Sequence, residues 1–214
     1  MNTTRIALFG ATGFSGGPVL TELLRRGHHV RALVRNPGAF ERPQNASGLE
    51  VVQGNALDPD DVGACLKDTD VVVHCLGVGG QGDGKHTTLV SKSVELVTEQ
   101  MRGLEMRRIV CMSNLGVDGT GPWVANRVVV PLFFRWLLPI IEDKVRMERH
   151  LGETNLDWVA VRWPNIVEGA ARPLRISPDG RGVSLKVTTQ SVAEHIADLA
   201  VAPRIAHRTP AVSN

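Results

Sequence analysis

The chain has 214 residues, 43% of them hydrophobic, with 24 Lys and Arg against 22 Asp and Glu and a formal charge of +2, enough to bury a full α/β core without disulfide staples. The signs are interspersed, leaving no basic stripe for nucleic acid, and the seven histidines show no metal-ligand spacing, so no metal site is expected. Cys65, Cys75 and Cys111 stand in apolar helix or strand contexts and read as buried reduced thiols, and no signal peptide precedes the first strand, which gives a cytoplasmic expectation.

The first predicted strand, Ile6 to Phe9, runs into Gly10, Gly13 and Gly16 and then into a helix. This strand, glycine turn and helix form the pattern of a dinucleotide pyrophosphate site. Gly10 allows the tight turn, Gly13 lets backbone amides approach the anion, and Gly16 lets the helix pack closely, with the anion at the positive end of the helix dipole. The alternative is a glycine-rich turn with no ligand. The second strand, Val30 to Val34, leads to Arg35. A site for the unphosphorylated cofactor wants an acid near there, yet no acidic residue stands between Glu22 and Glu41. Arg35 can fork a 2′-phosphate, which argues for NADP(H). The alternative is that both arginines are solvated surface charge, and strand alternation turns Arg31 to solvent.

Further strands are predicted at Glu50 to Gln53, Asp70 to Leu76, Arg108 to Met112 and Trp158 to Val161, with helices between most of them, among them Thr88 to Arg102 with Val90, Val94, Val97 and Met101 on one face. The alternation predicts a Rossmann-like doubly wound parallel sheet with helices on both faces, in a single domain over 1–214. Residues 173–187, with the turn Pro178-Asp179-Gly180, read as a hairpin or irregular return loop. Ser191 reads as the cap of a last helix, Val192 to Val201, and the tail after Pro203 as loosely held.

The segments GATGFSG (10–16), LVRNP (33–37), VVQGN (51–55), DVVVHCLG (70–77), RIVCMSNLG (108–116), DKVRMERHL (143–151) and LDWVAVRWPNI (156–166) together resemble an atypical short-chain dehydrogenase/reductase. The nearest subgroup is the NAD(P)H-binding proteins similar to flavin reductase and biliverdin reductase B. The resemblance implies that Thr12, Gly13, Phe14 and Ser15 meet the pyrophosphate and Arg35 the 2′-phosphate. It puts Asn55 at the adenine edge, where the family usually has Asp, and Leu76 and Gly77 beside the ribose and pyrophosphate. Ser113 falls at the family's active-site Ser or Thr, and Pro164, Asn165 and Ile166 where backbone meets the nicotinamide carboxamide.

One departure bears on mechanism: the chain contains no tyrosine. Many members of the wider superfamily use a Tyr four residues before a Lys as the acid. Here Lys144 matches the Lys and Ile140 stands at the Tyr position. Lys144 either offers a positive charge near the nicotinamide or binds a ribose hydroxyl, or is a solvated helix lysine pairing with Glu148 at i+4. Ser113 is either an active-site donor or a strand-end turn cap. Hydride transfer to an acceptor that delocalises charge survives the loss of the acid, so the expected substrate is a small planar conjugated molecule such as a flavin or quinone.

Its pocket is expected from loops 77–86, 114–141 and 164–190. The first is glycine-rich and reads as a gate or a plain surface loop. In the second, Trp123, Phe133, Phe134 and Trp136 form an apolar lid over the acceptor, a homodimer face through 121–141, or a patch that docks on a membrane surface or carrier protein; Arg127, Arg135, Pro131 and Pro139 interrupt any transmembrane span. A non-catalytic NADP(H)-binding sensor of the nitrogen-metabolite repressor type stays open as the second reading, and an isomerase or epimerase as a weaker third.

Overall fold

The computed structural model describes residues 3–44, 46–78, 83–121, 132 and 134–214. Six parallel strands form its frame: β1 (Arg5–Phe9), β2 (His29–Val34), β3 (Leu49–Gln53), β4 (Val71–His74), β5 (Arg108–Asn114) and β6 (Asp157–Trp163). Among the described residues four short strands complete the set: β7 (Asn165–Val167), β8 (Arg175–Ser177), β9 (Lys186–Thr188) and β10 (Ala211–Ser213). The main sheet runs β3-β2-β1-β4-β5-β6-β10-β8, and the order reverses between β1 and β4. That reversal opens the crevice in which doubly wound sheets hold their ligands.

Alternation along the strands divides the core. Ile6, Leu8, Val30, Ala32, Val110 and Val159 face α1 (Gly16–Arg25) and the C-terminal helix α5 (Thr189–Val201). Ala7, Phe9, Val72, Ile109 and Cys111 face α2 (Pro59–Leu66), α3 (Leu89–Gly103) and α4 (Leu138–Gly152). Helices on both faces bury the strands twice, and the near-continuous apolar runs of β1 and β4 follow from that. The doubly wound single domain is therefore as expected.

The C-terminal third departs from the expectation. The tail is not loosely held: Ala211–Ser213 is fully buried and inserted between β6, to which it runs parallel, and β8, to which it runs antiparallel. Residues 173–187 are no hairpin, because β8 joins the main sheet through β10 while β9 pairs in parallel with β7. Ser191 is not the cap of α5. The helix starts after Thr188, and the Ser191 hydroxyl, one turn in, accepts from Arg172 N (2.9 Å) and Asn214 Nδ2 (3.0 Å). Tertiary partners occupy the side chain that local sequence assigns to capping.

Deleting residues 211–214 removes a fully buried strand between two others, and we expect the thermal midpoint, followed by far-UV circular dichroism, to fall by roughly 10 °C or more. An unchanged midpoint would mean that the tail does not hold the sheet edge.

Candidate functional site

The turn after β1 is fixed by close approach. Gly10 has φ +87°, and a Cβ there would lie 2.7 Å from the carbonyl carbon and oxygen of Cys75, at the end of β4. A Cβ on Gly16 would lie 1.9 Å from the Gly10 oxygen. Side chains at either position would push α1 away from the crevice. Gly13 donates its N–H to the Gly10 oxygen (3.0 Å), closing the turn, so its own amide is turned inward. The N–H groups of Thr12, Phe14, Ser15 and Gly16 have no acceptor among the described residues. Thr12, Gly13 and Phe14 are exposed, and the first turn of α1 holds no acid. Unpartnered amides at a positive helix end, with no side chain in the way, suit a pyrophosphate.

Beyond the turn, Arg35, Gln53, Gly54, Asn55 and Asp61 line an open cleft of about 560 Å³. Arg35 is exposed there, just past β2. Asp61 and Gln53 were not anticipated from the sequence, since Asp61 lies in an acidic run that reads as helix-capping. Arg31 differs from expectation: it is half-buried, donates to the carbonyls of Ala64 (2.8 Å) and Cys65 (3.3 Å) at the end of α2, and pairs with Glu50.

Above β4 and β5, side chains from α4 enter the core. Lys144 is buried and donates to the carbonyl oxygens of Met112 (2.6 Å) and Leu76 (3.2 Å), which ties the ends of β5 and β4 together. It is neither solvated nor hydrogen-bonded to Glu148, and burial lowers its pKa. Glu148 instead receives the Arg162 guanidinium (Nη2 to Oε2, 2.5 Å) and the Ser113 hydroxyl (2.5 Å). Arg162 reaches on to Thr120 (2.6 Å) and Asp118 (2.9 Å). Ser113 is thus no strand-end turn cap: its proton points at Glu148, and its oxygen is left as an acceptor. His74, buried beneath and 2.9 Å from Ser93 Oγ, is pushed down to about 3 by desolvation, with the Lys144 charge adding to the shift, and stays neutral. Asp143 caps α3 from outside, accepting from the N–H groups of Val90 (2.8 Å) and Ser91 (3.2 Å).

Leu76 is half-buried and Gly77 exposed at the mouth of the crevice. Pro164 follows β6, and Asn165 and Ile166 lie on β7, where Asn165 N donates to Leu185 O (3.2 Å). Trp123 and Phe133 lie outside the described residues, as do 79–82 of the glycine-rich loop. Phe134 is 43% exposed and meets Trp136 edge to face at 6.5 Å, so an apolar face is open beside the loop that carries Gly84, where a Cβ would lie 3.6 Å from Trp136 Cα. Ile140, at the Tyr position, is half-buried on the first turn of α4. No helix among the described residues is long and apolar enough to cross a membrane.

A family model described as NAD(P)H-binding matches residues 10–203. Averufin oxidase A of Aspergillus flavus is 32% identical over 100 residues, 42% of this chain and 35% of that protein. The 3β-hydroxysteroid dehydrogenase/Δ5→4-isomerase of Mycobacterium tuberculosis is 36% identical over 75 residues, 35% of this chain and 19% of that one. The chain thus spans about a third and a fifth of the length of these two curated relatives. A short-chain dehydrogenase/reductase of Veillonella parvula, solved in complex with NADP, superposes with a TM-score of 0.82 at 16% identity over 100% of this chain and 95% of that one. ChuY, an anaerobilin reductase of Escherichia coli O157:H7, gives 0.75 at 20% identity over 98% and 97%. These two likenesses are of fold. The family match covers the glycine turn, the crevice and α4 alike, and the chain belongs to the NAD(P)H-binding family.

Proposed function

We propose that the protein is an NADPH-dependent reductase whose acceptor is a small planar conjugated molecule, such as a flavin or a quinone. The observation that carries this reading is the absence, among the described residues, of an available acid at the ends of β4 and β5. Ile140 stands where a Tyr would act, Lys144 donates to two backbone carbonyls, the Ser113 proton is directed at Glu148, and His74 is buried and neutral. A bound nicotinamide supplies hydride, and an acceptor that spreads the incoming charge takes its proton from water.

The chain's own residues then bind, orient and shield. The free amides of Thr12, Phe14, Ser15 and Gly16 hold the pyrophosphate, Arg35 holds the 2′-phosphate, and Leu76 and Gly77 flank the ribose. Backbone at Pro164, Asn165 and Ile166 holds the carboxamide, and Phe134 and Trp136 cover the acceptor. Lys144 is a positioning residue that keeps the ends of β4 and β5 at fixed spacing, and Ser113 offers an oxygen lone pair to the acceptor. The same lack of an acid favours one other reading, a non-catalytic NADP(H)-binding sensor.

Oxidation of NADPH followed in the presence of FMN, riboflavin, menadione or biliverdin separates the two. We expect turnover with at least one of them, whereas NADPH binding with all four inert would favour the sensor. Arg35→Glu should raise the Kd for NADPH by about ten-fold or more and leave that for NADH nearly unchanged, because a charge-assisted pair is replaced by repulsion. Equal affinity of the wild type for the two cofactors in titration calorimetry would contradict the 2′-phosphate assignment. Ser113→Ala should lower kcat by less than the roughly 10²- to 10⁴-fold of a lost general acid. Trp136→Ala should raise the acceptor KM with NADPH affinity intact. Unchanged kinetics with a dimer-to-monomer shift in sedimentation would make the segment an interface instead.

A further inference from the structure

Between the ends of β5 and β6 a buried chain of hydrogen bonds settles which way one hydroxyl can face. Arg162 Nε lies 3.2 Å from both Glu148 oxygens and Nη2 lies 2.5 Å from Oε2, so the acid stands opposite a guanidinium as a carboxylate, a group that only accepts. Its Oε1 receives the Ser113 hydroxyl at 2.5 Å, the short length of a bond to a charged acceptor. The carboxylate is kept in place because Arg162 is itself pinned on its other side by Thr120 Oγ1 (2.6 Å) and Asp118 Oδ2 (2.9 Å). Ser113 is 3% exposed, Glu148 6% and Arg162 7%, so little water competes for these bonds. The single proton of Ser113 is thus spent, and no donor among the described residues meets its oxygen. The cation beside it, Lys144, donates to Met112 O and Leu76 O instead. Ser113 is the penultimate residue of β5, at the end of the sheet from which a doubly wound fold takes its ligands.

We propose that Glu148 is a positioning residue that makes Ser113 a one-way hydrogen-bond acceptor, and that the site thereby selects conjugated acceptors presenting a ring N–H over quinones, which present none. The selection rests on the reductase reading and narrows its acceptor class. An isoalloxazine carries an imide N–H between two carbonyls, whereas the polar edge of a quinone is carbonyl oxygen alone. Against Ser113 such an oxygen meets a lone pair, two acceptors with no proton between them. In a buried place no water fills the gap, and a site built to receive a donor rejects a molecule that lacks it. With a neutral partner in place of Glu148 the hydroxyl could turn and serve either kind of ligand. The Arg162 charge alone does not account for the contact with Ser113, since Asp118, its side chain 65% exposed, already offers that guanidinium a second carboxylate. Ser113 reads the edge of the ring and moves no proton, and the hydride is delivered elsewhere on it.

The test is steady-state reduction by the full chain, at saturating NADPH, of riboflavin, of 3-methylriboflavin, in which a methyl group replaces the imide proton, and of menadione. The wild type should show a kcat/KM for riboflavin about ten-fold or more above that for 3-methylriboflavin, carried by KM, the equivalent of one buried hydrogen bond. Glu148→Gln keeps the shape and can still accept from Arg162 while its amide donates to Ser113, which frees the hydroxyl proton. The ratio should then fall to about three-fold or less, and kcat/KM for menadione should rise relative to riboflavin. Because this substitution adds no room, exclusion of the methyl group by size alone would leave the ratio where it was. A purely structural Glu148 would lower all three rates together with the same result. Ser113→Ala removes the lone pair and should narrow the ratio as well, which serves if Glu148→Gln does not fold. A ratio unchanged in either folded variant, a wild type that reduces both flavins equally well, or menadione reduced with both flavins inert would overturn the proposal and leave the reductase reading standing. Reduction of none of the three would overturn the proposal together with the acceptor class on which it rests.

Discussion

The crevice depends on one steric constraint, the contact of the Gly10 backbone with its neighbours. Its Cα faces the Cys75 carbonyl with no room for a Cβ, and its oxygen stands where a Cβ of Gly16 would be. β1, β4 and the start of α1 therefore meet with bare backbone between them. β1 and β4 stay paired to their ends, with Cys75 N donating to Phe9 O at 2.8 Å, while the chain turns over their tips into the helix. The amides of Thr12, Phe14, Ser15 and Gly16 are left without an acceptor among the described residues. The proposed anion site owes its form to the absence of side chains there and lies at the reversal of strand order between β1 and β4.

Around that opening the polar groups serve rigidity. α4 sends Asp143, Lys144 and Glu148 into the interior, where the first caps α3, the second joins the ends of β4 and β5, and the third holds Arg162 with Ser113. Buried charges are costly unless their hydrogen bonds are met, and here they are met by backbone groups and by one another. A lysine committed to two carbonyls and a serine committed to a carboxylate hold a surface in shape. In the proposed mechanism they move no proton. The division of labour in the proposed reaction follows from this: the protein positions and excludes water, and the transferred hydride belongs to the cofactor.

Six parallel strands and the two-sided core were legible because apolar runs at regular spacing, punctuated by glycine, have a single efficient burial. What escaped was whatever depends on partners far along the chain. β7, β8, β9 and β10 have three residues each, too short for periodicity, and β10 becomes a strand only because β6 and β8 flank it. Alternation put Arg31 on the side of the sheet opposite Val30 and Ala32, but that side is covered by the end of α2, whose carbonyls it meets instead of solvent. The i+4 spacing of Lys144 and Glu148 invited a helix-surface pair, yet both face inward and find different partners. Asp61 was hidden in the acidic run of Asp58, Asp60 and Asp61, and its bond with the Asn55 N–H, six residues back, forms only as the chain turns from β3 into α2. Gly10 and Gly16 were readable because their places are set by local chain geometry.

The central claim is hydride transfer without an enzymic acid. It is tested most directly by isotope effects on kcat/KM in the NADPH oxidation that any active acceptor supports, with NADPH deuterated at the transferred position and, separately, with solvent D2O. The account predicts a primary effect from the labelled cofactor, little or no solvent effect, and a rate that stays level with pH across the neutral range. A solvent effect as large as the primary one, with a rate that follows the titration of a single group, would show an acid at work and contradict it.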